Sequence, residues 1–167
     1  MDLQHWPLWV SCGLMVIAAI INYRTLMVPN WLSLPSIAVG LLIALLFGER
    51  LGGDWVSSLI GIGASLAFMI PMYTRYGLGA GSVKMQMGLG AWIGSTTSSE
   101  WSFFISASAA ILGSLLTYIV LTMVGKREPV QENVDLPPKL YPAQITLTLG
   151  SLIAVIGLFW LRSMKLF

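Results

Sequence analysis

The stretch Gly77-Leu78-Gly79-Ala80-Gly81-Ser82-Val83-Lys84, with the apolar run that follows it to Gly94, decides how this chain is read. It lies near mid-sequence between hydrophobic segments and is dense in glycine. Glycine permits positive φ and close backbone approach, which backbone at a membrane edge rarely needs unless something is built there. Within the run, Gly90 and Gly94 form a Gly-x-x-x-Gly pattern, which lets another helix pack tightly. A second stretch, Asn22-Tyr23-Arg24-Thr25-Leu26-Met27-Val28-Pro29-Asn30, closes the first hydrophobic segment. The two stretches are expected to form one site.

The surrounding composition sets the class. Of 167 residues, 56% are hydrophobic and 10% charged, against about 25% charged in soluble domains. Mean hydropathy is +0.81. The chain reads as an integral membrane protein of the all-α class. The net charge of +2 is too small to argue for a nucleic-acid partner and reads as orientation signal. A single cysteine, Cys12, excludes an intramolecular disulfide and a multi-cysteine zinc site, and reads as a small apolar helix residue. His5 is the only histidine and reads as interfacial, so no metal site and no cofactor is expected. Met1 to His5 lacks a basic n-region, so a cleaved signal peptide is not expected.

A hydrocarbon core about 30 Å thick asks for about 20 apolar residues per helix. On that criterion six transmembrane helices are expected, near Trp6–Ile21, Trp31–Phe47, Trp55–Tyr73, Ser82–Thr96, Trp101–Val124 and Pro142–Leu161. The fourth is short and rich in small residues, as suits a helix buried among the others. Asn30 can cap the second span and Ser82 the fourth, while Pro71 marks the end of the third or a kink in it. The tryptophans mostly fall near span ends, as an interfacial belt should. Residues 1–167 read as a single membrane-embedded domain. The hydrophilic connection from Lys126 to Tyr141 is assigned no chemistry.

Basic residues orient the bundle. The connections after spans one, three and five hold Arg24, Arg75, Lys84, Lys126, Arg127 and Lys139, against Arg50, Arg162 and Lys165 opposite. That bias predicts a cytoplasmic location for the first set and termini outside. Both polar stretches then share the cytoplasmic face.

On these residues the chain resembles the prepilin leader peptidases, membrane aspartic proteases that share a Gly-x-Gly-Asp motif with the presenilins. The family places an aspartate eight residues before the asparagine of an Ile-Pro-Asn turn. Here the turn is Val28-Pro29-Asn30, and eight residues back stands Asn22. The second family pattern, Gly-x-Gly-Asp-x-Lys before a glycine-rich helix, is here Gly79-Ala80-Gly81-Ser82-Val83-Lys84, followed by Gly88, Gly90 and Gly94. The resemblance covers the whole six-span layout. It is to the short, peptidase-only form associated with Flp/Tad-like pilus or pseudopilus systems, because the cysteine-bearing cytoplasmic domain of longer members is missing.

The resemblance implies a bacterial inner-membrane endopeptidase. Its substrate would be a prepilin-like protein with a basic leader and a hydrophobic helix, entering laterally from the bilayer. It implies catalytic positions at 22 and 82, with Pro29, Asn30, Gly79, Gly81 and Lys84 shaping the site. Both aspartates are replaced, by Asn22 and Ser82. Two close carboxyls split their pKa values into a base and an acid, whereas an amide and a hydroxyl cannot exchange protons near neutral pH. The chain as written is therefore expected to be inactive. An engineered inactivation and a natural pseudopeptidase both fit, and the first is preferred because neighbouring family-pattern residues are intact. The rival class is a non-catalytic adaptor that binds pilin-like helices. A transporter is a weaker third, since no span carries an ionisable residue near its middle.

The residues also have plainer readings. Asn22 can be a simple helix C-cap. Lys84 can be a topology determinant that snorkels to the interface, or a contact for substrate or lipid. Gln86 can hydrogen-bond another helix or line the site cavity. Oligomeric state is not legible.

Overall fold

A helix survives in hydrocarbon because its backbone groups are paired internally, and the apolar runs of this chain form helices accordingly. The computed structural model describes residues 6–25, 27–76, 78–125 and 143–163. The elements are α1 (Trp6–Thr25), α2 (Asn30–Leu51), α3 (Trp55–Tyr76), α4 (Ala80–Gly94), α5 (Ser99–Gly125) and α6 (Ala143–Ser163). Five of them, all except α4, are long and apolar enough to cross a membrane. Helix α4 has 15 residues, or about 22 Å at 1.5 Å per residue. His5 and the connection from Lys126 to Tyr141 lie outside the described residues.

Around an apolar core that includes Met15, Leu89, Ile93 and Ile105, the bundle exposes apolar surface that a soluble protein would bury. Large apolar side chains face outward, among them Ile17, Ile20, Leu42, Leu45, Leu46, Phe104 and Ile153. Serines and threonines are buried, including Ser33, Ser58, Ser65, Ser102 and Thr117. Such residues belong at helix–helix contacts in a bilayer, where they are small and hydrogen-bond across the interface. The Ser58 hydroxyl donates to the Ala91 carbonyl at 2.8 Å and that of Ser102 to the Ser57 carbonyl at 2.7 Å. The chain is a multi-pass helical membrane protein.

Helix α4 is the axis. It packs against α1, α2, α3 and α5, and every residue from Gly88 to Thr97 is buried. Its glycines permit this. A Cβ on Gly90 would overlap the Gly61 carbonyl of α3, and one on Gly61 would overlap the Gly90 carbonyl. A Cβ on Gly94 would overlap the backbone of Ser57 and Ser58, and one on Gly88 would meet the Ser36 hydroxyl of α2 at 2.6 Å. The Gly-x-x-x-Gly pattern is thus the α3 contact. A second close crossing joins α5 to α6, where a Cβ on Gly150 would lie 2.6 Å from the Gly113 Cα.

The ends of α4 are anchored to different connections. Its start meets the turn before α2, since a Cβ on Gly81 would overlap the Val28 carbonyl. Its finish meets the α2–α3 connection, since one on Gly53 would overlap the Gly94 carbonyl. There the Ser95 hydroxyl donates to the Trp92 carbonyl at 2.7 Å, and those of Thr96 and Thr97 to the Ile93 carbonyl at 3.1 and 2.8 Å. Those bonds satisfy carbonyls that a helix end leaves open.

Some local expectations are corrected. Helix α1 continues past Asn22 to Thr25, so Asn22 is not a C-cap. Helix α3 runs through Pro71 to Tyr76. Trp92 is not interfacial: it is 2% exposed, and its indole N–H donates to the Ser36 carbonyl at 2.9 Å. That bond pins α4 to α2.

The glycine crossing makes a test. Gly90→Ala should lower stability by about 1–3 kcal/mol through overpacking. Gly63→Ala, with open space around its Cβ, should be neutral or stabilising by up to ~1 kcal/mol from helix propensity. Thermal unfolding of the two variants in detergent checks the contrast.

Candidate active site

The two polar stretches meet at one end of the bundle, and their backbones are built alike. Pro29 precedes α2 in extended backbone (ψ 146) and its carbonyl accepts the N–H groups of Leu32 and Ser33 at 3.1 and 3.2 Å. Gly79 precedes α4 in the same way (ψ 139), accepting those of Ser82 and Val83 at 3.0 and 3.4 Å. Carbonyls thus start both helices, and neither cap is a side chain. This overturns the expectation that Asn30 and Ser82 are the caps. It leaves their side chains available.

Asn30 uses that availability. Its Oδ1 accepts a hydrogen bond from the Lys84 ammonium at 2.9 Å. Together with the contact of Gly81 on Val28, this fastens the start of α4 to the start of α2. Lys84 therefore has a specific partner. Gly79 is different: nothing lies within 4 Å of a Cβ built there. Of the two glycines, only Gly81 is demanded by the packing seen.

Asn22 and Ser82 are both buried, at 5% and 4% exposure. Asn22 lies in the last turn and a half of α1, and Ser82 is the third residue of α4. No hydrogen bond joins them among the described residues. Asn22 turns instead to the last helix, its Oδ1 accepting the backbone N–H of Gln144, second residue of α6, at 3.3 Å. The Ser82 hydroxyl has no hydrogen-bond partner among the described residues.

From Asn22 a buried polar stripe runs along α6. The Gln144 side-chain amide donates to the Thr148 hydroxyl at 3.3 Å, which donates to the Met15 carbonyl of α1 at 3.3 Å. The Ser151 hydroxyl faces the Gln86 Oε1 of α4 at 3.0 Å and the Ala109 carbonyl of α5 at 3.1 Å. Gln86 lies one turn beyond Ser82 on α4. Gln86 and Gln144 are fully buried, and the Nε2 of the first and the Oε1 of the second have no partner. The sequence reading singled out Gln86 but missed Gln144, Thr148 and Ser151. The signal available was their spacing: positions 144, 148 and 151 fall on one face of the helix.

The charges sort to the ends. The described acids are Glu49 at the end of α2, Asp54 at the start of α3 and Glu100 at the start of α5. All three belong to the end where α4 finishes. Among the described residues the end carrying Asn22 and Ser82 holds no carboxylate. Chemically, positions 22 and 82 offer a buried amide and a buried hydroxyl, with the Lys84 ammonium nearby.

Comparison with known proteins reaches the same stretches. Residues 9–125 match the family described as the type IV leader peptidase family. That range runs from the first turn of α1 to the end of α5. No curated protein and no solved structure matches the chain.

The two glycines should behave unequally on substitution. Gly81→Ala must displace the turn carrying Asn30 and should cost about 1–3 kcal/mol. Gly79→Ala changes only an uncrowded N-cap and should cost at most about 1 kcal/mol. Unfolding midpoints of the two variants decide; equal losses would remove the packing argument for Gly81.

Proposed function

Because the chain belongs to the type IV leader peptidase family, a family of prepilin-type proteases, we propose that positions 22 and 82 are the two carboxylate positions of a membrane aspartic protease, and that Asn22 and Ser82 leave this chain without peptide-bond cleavage. The observation that carries the reading is the joining of the two stretches: both positions are buried at one bundle end, and the Lys84–Asn30 bond and the Gly81–Val28 contact fasten their frames together.

The parent reaction is water attack on a peptide carbonyl. One carboxylate takes a proton from water and the other carboxylic acid gives one to the carbonyl oxygen. The substrate is a prepilin-like protein with a basic leader before a hydrophobic helix, which enters from the bilayer and unwinds at the cytoplasmic rim. Pro29, Asn30, Gly79, Gly81 and Lys84 shape that rim. The setting is the bacterial inner membrane, with termini outside, and the system is of the pilus or pseudopilus kind. Residues 1–167 act as one domain. Helix α4 makes the sixth crossing: although short, its two ends are tied to connections at opposite ends of α2.

A non-catalytic adaptor that holds pilin-like helices is the second reading. What favours it is the lack of any carboxylate among the described residues at this end of the bundle.

Restoring both acids separates the two. The Asn22→Asp, Ser82→Asp double variant, reconstituted with a prepilin-type substrate, should release the leader. The chain as written and either single variant should lag by at least ~10²-fold, since one general acid or base is worth about 10²–10⁴. Binding without cleavage by the double variant would favour the adaptor.

A further inference from the structure

We propose that the crevice between α5 and α6, at the end where α4 finishes, holds one acyl chain of a phospholipid whose headgroup carries a primary ammonium, with Glu100 as the counter-charge. The crevice lies at the opposite end of the bundle from Asn22 and Ser82, so it does not rest on the reading of those positions.

The crevice follows from how the last two helices meet. They touch where Gly113 faces Gly150: a Cβ on Gly150 would lie 2.6 Å from the Gly113 Cα, and one on Gly113 would lie 2.8 Å from the Leu147 carbonyl oxygen. Nearer the end of α6, Gly157 has nothing within 4 Å of its Cβ position. There a cavity of about 400 Å³ opens, lined by Glu100, Trp101, Phe104 and Ser108 of α5 and by Leu158 and Leu161 of α6. Glu100, Phe104 and Ser108 are spaced four apart and share one face of α5. The lining therefore runs about 12 Å along that helix, at 1.5 Å per residue.

Shape decides between occupants. The inner wall is closed, because Trp101 and Leu158 pack against the core cluster that contains Leu8, Ile105 and Val155. The outer side is flanked by the exposed Phe103, Phe104 and Trp160, surface that a bilayer covers. Ser108 is five residues from Gly113, so the crevice closes to backbone contact within about 8 Å of its floor. A transmembrane helix is about 10–12 Å across with its side chains and cannot follow that taper. An acyl chain can, and it restores the dispersion contacts that an unfilled gap forfeits.

Charge decides the headgroup. Glu100 is the one charged residue of the lining, and it stands exposed in the first turn of α5. The crevice thus runs from a carboxylate at the helix end into apolar surface, as a lipid runs from headgroup to chain. A carboxylate at the mouth repels an anionic phosphoglycerol headgroup. It attracts an ammonium, and a primary ammonium also donates hydrogen bonds to it.

The test is native mass spectrometry of the full chain in detergent, titrated with phosphatidylethanolamine or phosphatidylglycerol of identical acyl chains. The first phosphatidylethanolamine should bind about 2–5-fold more tightly, the range of one exposed ion pair, and the preference should shrink with added salt. Glu100→Gln should bring the two lipids to near-equal affinity. The same loss of preference in an Arg162→Gln background assigns it to Glu100 rather than to the basic residue that follows Leu161. Ser108→Phe, which fills the floor, should lose the first bound lipid, and chain-free glycerophosphoethanolamine should not bind. Equal affinities in the unsubstituted chain, or a preference that survives Glu100→Gln, would mean ordinary lipid coating and overturn the proposal. A dimer that Ser108→Phe dissociates would give the crevice to a second copy of the chain and overturn it equally. If the phenylalanine variant does not fold, the Glu100→Gln comparison in both backgrounds still decides.

Discussion

Where α3 crosses α4, Gly61 and Gly90 lie backbone to backbone, and neither has room for a methyl group. Lipid offers no hydrophobic force to push helices together, so close packing and interhelical hydrogen bonds must hold them. Helix α4 meets that demand on several faces, with Gly88 on α2, Gly90 and Gly94 on α3, and Gly81 on the turn before α2. A 15-residue helix can then lie inside the bundle. Its start is fixed as a consequence, and with it the position of Ser82. The site is a by-product of how tightly the axis is clamped.

Polar groups follow the same logic. Ser58, Ser102 and Trp92 each donate to a carbonyl of a neighbouring helix. In the stripe through Asn22, Gln144, Thr148, Ser151 and Gln86 two amide atoms are left unpartnered in burial, as are the hydroxyls of Ser65 and Ser106 outside it. An unmet buried hydrogen-bonding group costs about 1–3 kcal/mol.

The helices were legible because membrane spans announce themselves by length and apolarity. The joining of the two stretches was legible from motif order and from the side on which the basic residues fall. Caps were misread, because Asn30 and Ser82 have the chemistry of N-caps while the carbonyls of Pro29 and Gly79 do that work. Trp92 was misplaced for a similar reason: tryptophan in a span suggests an interface, but here its N–H reaches the carbonyl of Ser36. The contribution of α6 was not read, since its polar residues sit among leucines and isoleucines and belong to no motif. Only a partner helix gives them meaning.

Distances along the axis test the central claim most directly. With Cys12→Ala as background, spin labels at the exposed positions Tyr23 and Ala80 report the end where the two stretches join, and labels at Tyr23 and the exposed Ser98 span the length of α4. The account gives a short 23–80 distance and a 23–98 distance longer by roughly 20 Å, given 1.5 Å of rise per residue. A 23–80 distance equal to or longer than 23–98 would put positions 22 and 82 at opposite ends and contradict it.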